Sequence, residues 1–497
     1  MLATVKKALA AVIPRFMNSA AYEGATQGRR GNGWNAPGGG PNNALNGNLP
    51  TLRNRSRAAY RNNPWLSLGI DKLVSNEVGT GITARSLAED ETFRQAANAL
   101  WAKSVEEFDP EGVLNFYGMQ TQASRARNVS GEVFIRRRRR RLSDGLAVPV
   151  QIQILESEFV PADKSERLPN GNIIVAGIEF NRKGKRVAYH MYTDHPADRS
   201  SFDNRLIRVP ASDVIHHYLP TRPGQVRGEP VTVQSLLKAH TFDSYDDAEL
   251  VRKQTRAPFT GFLYREQYSD ADYQYDPISG DPITVETGAV PEIDAQPGNI
   301  LTGLPGEKLD LFSGDDTGQG YADFMRQQLL AIAAGAGIPY EILTGDWSKV
   351  NDRLVRAILN DFHRSIEAMQ DQLMIFQVCR GVWGWWMNSA VLSGALTAPH
   401  YATDRDSYIK HEWRPQGWAY VNPVQDVQAK LEAIAGGLTS RDAEVAKTGW
   451  DAEDIDKQNA EAEKRRRDAY ESVGLDPSLL DPKQKQASPP GEPNDDK

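Results

Sequence analysis

The chain has 497 residues, of which 40% are hydrophobic and 25% charged, and its formal net charge is −7. This length favours about three domains, and the acidic balance does not favour a chain that binds nucleic acid over its whole surface. The single cysteine, Cys379, excludes an internal disulfide and a cysteine-based zinc site.

The first fifty residues are predicted to form a flexible arm. Lys6 and Lys7 precede a short apolar run that ends at Pro14, which we interpret as an amphipathic segment and not as a signal peptide. No apolar run of the chain approaches the ~20 residues that span a bilayer. Residues 18–50 are rich in Gly, Asn and Pro, so they bury too little apolar surface to offset their chain entropy. We therefore expect order to begin near Leu52.

Helices are predicted on both sides of Pro64. Asn63 is a residue type that caps the free N–H groups of a helix start, and proline is tolerated in the first turn. The glycines from Gly79 to Gly81 would end this helix. Two further helices are predicted, over 86–103 and 112–128.

The hydrophobic period then changes from helical to alternating, which is typical of half-buried strands. Three strand pairs are predicted: 132–142 with 147–156, 173–181 with 185–193, and two strands within 206–219. This part of the chain is therefore expected to be an α+β domain with antiparallel sheets.

Helical periodicity returns after residue 231. Helices are predicted over 231–256, from Tyr321 to Gly335 or Gly337, for about seven turns from Asp352, and along the tail from Val421. Residues 257–317 are rich in Asp, Pro and Gly and are expected to hold short strands, whereas 481–497 are expected to be disordered.

Six consecutive arginines, residues 136–141, form the strongest charge feature of the sequence. A basic run can bind nucleic acid, but on a strand its side chains alternate between two faces. Two interpretations follow: a DNA contact, or a strand whose arginines are solvated or pair with acids on neighbouring strands or subunits. The alternation favours the second.

The sequence carries no signature of a catalytic or cofactor site. It has no phosphate-binding loop, no Gly-x-Ser-x-Gly elbow and no histidines at zinc-site spacing. His216 and His217 would point to opposite sides of a strand and are interpreted as structural. Trp383, Trp385 and Trp386 could stack on single-stranded bases, but core packing is favoured. We therefore predict no enzyme, no cofactor and no bound metal.

A short connection, residues 344–351, lies between two predicted helices. Either Asp346 or Asn351 could cap the second helix. From the residues alone, this segment is interpreted as a helix–helix connection.

Five segments of the chain carry a family resemblance. The longest are 213–230, which contains Arg227-Gly-Glu-Pro230, and 332–351, which contains Gly345-Asp-Trp-Ser-Lys349. The others are 413–418, 422–429 and 437–441. In this order they resemble the portal proteins of tailed bacteriophages, and in particular the lambda-type portal family.

The resemblance implies a structural protein of the virion. Portal proteins form rings of about twelve subunits at one capsid vertex, through which double-stranded DNA is packaged and ejected. The implied partners are other copies of the chain, that DNA, the large terminase subunit, the major capsid and scaffold proteins, and the head-completion or tail adaptor proteins. Assembly would occur in the cytoplasm of the host bacterium, without a membrane.

The implied fold class is α+β, a portal-like subunit with an antiparallel sheet wing, long stem helices, a small mixed clip and a helical C-terminal crown. The expected divisions are the arm (1–50), the wing (51–232), a stem helix (233–256), the clip (257–317), a second stem helix (318–338), the channel loop (339–351), a long helix with a wing return (352–430), the crown (431–480) and the tail (481–497).

In portals, the loop after the second stem helix lines the narrowest part of the channel. The resemblance therefore implies that Trp347, Lys349 and Arg353 lie there, with the two basic side chains within reach of DNA phosphates. The family's usual Asn-Tyr-Ser-Ser-x-Arg is replaced here by Asn-Asp-Arg-Leu-Val-Arg, which keeps Asn351 and Arg356.

Two alternatives stay open at this point. One is another capsid or baseplate structural protein with similar helices. The other is a nucleic-acid-processing enzyme that uses the arginine run and carboxylates that the sequence does not reveal. A lack of rings would favour the first, and metal-dependent nuclease activity would favour the second.

Overall fold

Helices and antiparallel strands both contribute to the fold, as the sequence predicts. The computed structural model describes residues 36, 38–198, 205–256, 261–265, 278–280, 307–311, 318–418, 423–448 and 450–472. Its helices are α1 Pro41–Asn46, α2 Leu49–Asn62, α3 Pro64–Val78, α4 Glu91–Ser104, α5 Phe116–Ser130, α6 Leu236–Arg256, α7 Gly318–Ala336, α8 Tyr340–Thr344, α9 Asp352–Met369, a π-helix Gln370–Cys379, α10 Arg380–Leu392, α11 Arg405–Ile409, α12 Pro423–Ala435, α13 Arg441–Ala446 and α14 Ala452–Ser472. Its strands are β1 Thr83–Ser86, β2 Glu132–Arg139, β3 Val150–Leu155, β4 Glu166–Arg167, β5 Ile173–Val175, β6 Ile178–Phe180, β7 Arg186–Tyr192, β8 Leu206–Pro210, β9 Val214–Tyr218, β10 Gly261–Arg265, β11 Glu307–Leu311 and β12 His411–Arg414.

The sequence predicts that order begins near Leu52, but in the structure it begins earlier. α1 and the start of α2 lie within the segment expected to be flexible, so that prediction is wrong for residues 41–50. The reason is tertiary: Leu45 and Leu49 are buried, and the Asn42 side chain bonds the backbone at 224–226, with distances of 3.0 and 2.9 Å. Residues 1–35 and 37, which hold the rest of the predicted arm, lie outside the described residues.

The predicted helix boundaries are confirmed where a local signal sets them. The Asn63 side chain accepts a 2.8 Å hydrogen bond from the Leu66 N–H and caps α3. α3 ends at Gly79, which has φ of 58°, and α7 ends before Gly337, which has φ of 68°. Glycine adopts this left-handed backbone at little cost, whereas other residues are strained there.

All strand pairs in the described residues are antiparallel. One sheet has three strands in the order β3-β2-β9, and a second has five in the order β4-β5-β6-β7-β8. The predicted pairing of 132–142 with 147–156 is confirmed as β2 with β3. β1 pairs with β12, which brings a late segment of the chain back to its first third.

Of the other two predicted pairings, that of 173–181 with 185–193 is confirmed for β6 with β7, whereas the pairing within 206–219 is wrong. The strands within 206–219 do not pair with each other, because β8 joins β7 in the five-stranded sheet and β9 joins β2 in the three-stranded sheet. The predicted strand 173–181 is broken at Ala176 and Gly177, whose φ values of 51° and 80° turn the chain into the β5–β6 hairpin. Alternating hydrophobicity specifies which face of a strand is buried and leaves the neighbouring strand open.

Two large hydrophobic clusters organise the described residues. The first packs α4, α5 and the three-stranded sheet against α10, and its centre is aromatic: Trp101 lies 5.0 Å from both Trp383 and Trp386, measured between ring centroids. The second packs α3, α6, α7, α8 and α9 together. The prediction that Trp383, Trp385 and Trp386 belong to the core is confirmed, since all three are buried.

The predicted helix of about seven turns from Asp352 changes its geometry midway. It is α-helical as α9, then π-helical over Gln370–Cys379, and α-helical again as α10. The Gln370 side chain donates hydrogen bonds of 3.2 and 2.9 Å to the carbonyls of Asn76 and Glu77, at the C-terminal end of α3. π-helices are rare and normally limited to a single turn, so a segment of this length was not predictable from the apolar spacing.

The remaining predictions concern residues 257–317 and the C-terminal tail. β10 pairs with β11, which confirms short strands within 257–317, and α12, α13 and α14 confirm a helical tail. Most of 257–317, together with the tail beyond residue 472, lies outside the described residues. Among the helices that are described, none combines the length and the apolar character needed to cross a membrane.

Candidate functional site

The predicted channel loop begins with the short helix α8 and ends where α9 begins. Gly345, at φ of 70°, ends α8. The Asp346 carboxylate then accepts hydrogen bonds from the Ser348 hydroxyl (2.6 Å) and the Ser348 N–H (3.1 Å). These two bonds lower the pKa of Asp346 below its usual value. The loop therefore has a defined turn at its tip.

The same loop is tied to the helix that precedes it. The Arg326 guanidinium on α7 lies 4.8 Å from the Tyr340 ring centroid and 3.9 Å from the Asp346 carboxylate. The Tyr340 hydroxyl donates a 3.3 Å hydrogen bond to the same carboxylate. This contact set links α7, α8 and the loop.

Asn351, and not Asp346, caps the following helix. Its side-chain oxygen accepts a 3.0 Å hydrogen bond from the Leu354 N–H. Trp347, Lys349 and Arg353 are all exposed around this junction. Within the part of the chain that the structure describes, neither Lys349 nor Arg353 has an ion-pair partner. Their role in a channel stays a prediction.

The segment 213–230 contributes one member of a buried ion pair that the sequence did not reveal. The Arg227 side chain has no exposed surface, and its Nε donates a 2.7 Å hydrogen bond to Glu132 on β2. The rest of its guanidinium donates to three backbone carbonyls, those of Val160, Ala176 and Ser157, at 3.1, 2.8 and 3.1 Å. Arg227 thus joins both sheets to the connection that leads into α6.

The glycine after Arg227 makes this pair possible. The Gly228 N–H donates a 2.9 Å hydrogen bond to Glu132. A Cβ at Gly228 would lie 2.1 Å from the Gly131 carbonyl oxygen, and a Cβ at Gly131 would lie 2.5 Å from the Glu229 backbone. Neither position leaves room for a side chain. An Arg-Gly pair after a strand was the available signal, although nothing local identified Glu132 as its partner.

The two adjacent histidines face opposite sides of β9, as predicted. His216 contacts Glu132 at 2.9 Å and His217 contacts Gln377 of the π-helix at 2.9 Å. Burial lowers the pKa of His216 to about 4, against the opposing effect of the Glu132 carboxylate. Burial alone would raise the pKa of Glu132, but Arg227 and His216 hold it well below its usual range. Both histidines are therefore neutral structural residues near neutral pH.

The first four arginines of the run lie on β2, which ends at Arg139, and the side chains of the run alternate as predicted. Arg137 and Arg139 share the Asp213 carboxylate on one face. On the other face, Arg138 donates to Gln153 at 2.8 Å and Arg140 to Gln151 at 2.7 Å. The prediction of acidic partners is confirmed for the first face only, since the second face uses glutamines of β3.

One group of potential metal ligands occurs among the described residues, at Glu156, Glu158 and His195, whose ligand atoms lie within 4.8 Å of one another. Glu158 is already paired with Arg53 and Arg57, each at 2.6 Å. The positive charges occupy the place that a cation would need, so this cluster is an ion-pair network.

Sequence comparison shows which proteins the chain is similar to. The model of the family described as "Phage portal protein, lambda family" matches residues 27–370. A probable portal protein of Halomonas phage phiHAP-1 is 27% identical over 459 residues, which are 88% of this chain and 85% of that protein. Portal protein B of Escherichia phage lambda is 23% identical over 500 residues, covering 92% and 91%.

Solved structures give a weaker likeness. The neck of an empty gene transfer agent (GTA) particle, computed with C6 symmetry, matches with a TM-score of 0.47 and 13% identity, over 81% of this chain and 93% of that chain. The neck of the native particle, computed with C12 symmetry, matches with a TM-score of 0.43 and 16% identity, over 80% and 91%.

Proposed function

Because the chain belongs to the lambda family of phage portal proteins, we propose that it assembles into a closed ring at one vertex of a phage capsid. The family is structural and not enzymatic, which agrees with the prediction from sequence that the chain is not an enzyme. Closed cyclic symmetry is the usual way for identical subunits to satisfy one another's surfaces.

The proposal of a ring depends on side chains that α6 and α7 expose to solvent. These helices bury Phe242 and Leu329 on the sides that face the second hydrophobic cluster. Both helices also expose large apolar side chains along their length: Leu237 (75% exposed), Leu250 (56%), Val251 (57%), Tyr245 (41%) and Phe324 (42%). Exposed apolar side chains of this size mark an interaction surface, and a second copy of the chain would cover them.

The proposed channel carries double-stranded DNA and is lined at its narrowest part by residues 339–351. Lys349 and Arg353 are exposed near this loop and would face the phosphates. A conduit must release its cargo, and each neutralised phosphate adds a salt dependence with a slope of about −0.9 for duplex DNA. The subunit's net charge of −7 keeps such contacts few.

The finer division of the subunit is also a proposal. The region 51–232 would form the wing, 233–256 and 318–338 the stem, 257–317 the clip and 431–480 the crown. The clip would meet the large terminase subunit during packaging and the head-completion or tail adaptor proteins afterwards. The wing and the crown would lie within the capsid shell, beside the major capsid and scaffold proteins, in particles assembled in the host cytoplasm.

Electron microscopy of the purified full-length chain in negative stain tests the ring directly. We expect annular particles of uniform diameter with a central hole, together with a matching high-mass species in sedimentation velocity. Compact monomers at every protein concentration, also after addition of the capsid and scaffold proteins, would contradict the proposal.

A further inference from the structure

A basic pocket lies beside the aromatic core, outside the channel loop. Its cavity is about 570 Å³ and is bounded by β2, α10, α11 and β12. Three arginines from three different elements line it, Arg137, Arg380 and Arg405, together with His411. Among the described residues that line the cavity there is neither Asp nor Glu. In a chain of net charge −7 this is a concentrated positive site.

The charges in this pocket are only partly neutralised. Arg380 stacks over the Phe376 ring, with 4.0 Å between the guanidinium carbon and the ring centroid. The Arg405 Nε donates a 3.3 Å hydrogen bond to the neutral Asn388 side chain. In the described part of the chain, neither arginine forms an ion pair with a carboxylate. Arg137 pairs with Asp213, and among the described residues it shares this carboxylate with Arg139.

The acids nearest in sequence do not line the cavity. Asp404 and Asp406 flank Arg405, and both act electrostatically on Lys410. The positive field also reaches His411, because burial and the charge of Arg380 both lower its pKa, against a hydrogen bond to the Ile409 carbonyl. The pocket is thus positive even with its histidine neutral.

The arrangement of the arginines selects the chemistry of the ligand. One guanidinium fork already satisfies the two oxygens of a carboxylate. Three guanidinium groups around one cavity match an anion with more oxygens and more charge, as in a phosphate group. One wall is held in place by Trp385, which is buried and whose indole N–H donates a 2.8 Å hydrogen bond to the Ser212 carbonyl.

We propose that the pocket formed by Arg137, Arg380, Arg405 and His411 is a binding site for phosphate groups. The group could belong to a nucleic-acid backbone or to a free phosphate or pyrophosphate, since both present the same oxygens. This site is independent of the ring and of the loop 339–351, so it can exist whether or not the proposed function is correct.

The test compares the full-length chain with the double variant Arg380→Ala/Arg405→Ala. The control, Arg465→Ala/Arg466→Ala, removes two exposed arginines from α14. Isothermal titration calorimetry with pyrophosphate should show binding to the wild type and the control alike, and binding at least about tenfold weaker to the pocket variant. Circular dichroism establishes that all three proteins are folded.

Fluorescence anisotropy with a short labelled DNA duplex distinguishes the two sources. If the site holds the DNA backbone, pyrophosphate competes with the duplex, and the pocket variant lowers the slope of log affinity against log salt by about two. If the site holds a small phosphate, the pocket variant binds pyrophosphate more weakly but binds the duplex like the wild type. Both outcomes support a phosphate site.

Three results would overturn the proposal. The wild type does not bind pyrophosphate, the pocket variant binds it like the control, or hexaglutamate binds more tightly than pyrophosphate. If the alanine variant does not fold, Arg380→Lys/Arg405→Lys replaces it, because lysine keeps the charge but not the fork. Pyrophosphate binding by this variant should weaken severalfold, and unchanged binding would also refute the proposal.

Discussion

The positively charged side chain of Arg227 has no exposed surface, and several neighbouring segments contact it. A buried charge is tolerated only when it is paired and its remaining donors are satisfied. Here Glu132 supplies the charge and three backbone carbonyls take the other donors. Those carbonyls belong to the connections around the two sheets, so the side chain fixes where the sheets meet.

Replacement of Arg227 by Met should therefore destabilise the fold strongly. The variant leaves Glu132 buried without its cation, and the loss of one partner of a buried pair costs about 3–5 kcal/mol in the free energy of unfolding. Denaturation followed by tryptophan fluorescence, at one oligomeric state, measures the change.

The matched control is Arg222→Met, since Arg222 is exposed on the same connection. Exposed positions change stability by less than about 0.5 kcal/mol. Equal unfolding midpoints for the two variants would show that the buried pair does not stabilise this junction.

At the scale of elements, the connection from α7 through α8 to α9 is held by contacts at both ends and exposes the residues between them. Arg326 and Tyr340 hold one side of the loop, and the Asn351 cap fixes the other. Between these supports, Trp347 and Lys349 are exposed. A short loop that is anchored at both ends presents its tip in a constant position, as a channel lining requires.

The variant Lys349→Ala should leave ring assembly intact and alter the amount of DNA that is packaged or retained. The side chain is exposed, so its removal has little effect on folding, but a ring repeats the lost charge in every subunit. Electron microscopy measures assembly, and quantification of nuclease-protected DNA in particles measures packaging.

Lys457→Ala, on the exposed surface of α14, is the matched control and should change neither quantity. Loss of rings in the Lys349 variant would mean that the loop acts in assembly, and the channel assignment would then be wrong.

At the scale of the subunit, the hydrophobic cores are buried, but some large apolar side chains remain exposed at the surface. The aromatic cluster around Trp383 and the cluster around Leu343 are closed, with both side chains fully buried. Helices α6 and α7, in contrast, expose Leu250, Val251 and Phe324 to solvent. Since solvent exposure of such a surface is unfavourable, association is the expected outcome.

Leu250→Asp should convert rings into monomers or small oligomers without unfolding the subunit. A carboxylate buried at an apolar interface loses its hydration without gaining a partner, and the same loss is repeated around the ring. Sedimentation velocity measures the mass distribution, and circular dichroism measures the fold.

Leu392→Asp introduces the same charge at a residue that is 87% exposed at the end of α10, and it should leave the ring in place. Rings of unchanged mass in the Leu250 variant would place the subunit interface elsewhere.

Features that depend on residues within one or two turns of each other could be predicted from the sequence. The caps Asn63 and Asn351, the helix end at Gly337 and the opposite faces of His216 and His217 were all predictable. Each follows from local backbone geometry and side-chain hydrogen bonding. The order of motifs along the chain also identified the family.

Contacts between segments that are distant in sequence could not be predicted and became known from the fold. The separation of β8 and β9 into two sheets, the pairing of β1 with β12, the Arg227–Glu132 pair and the π-helix have no local signal. Strand pairing and burial of charge are selected by packing energies summed over segments far apart in sequence, and these become defined only when the chain has closed around its cores.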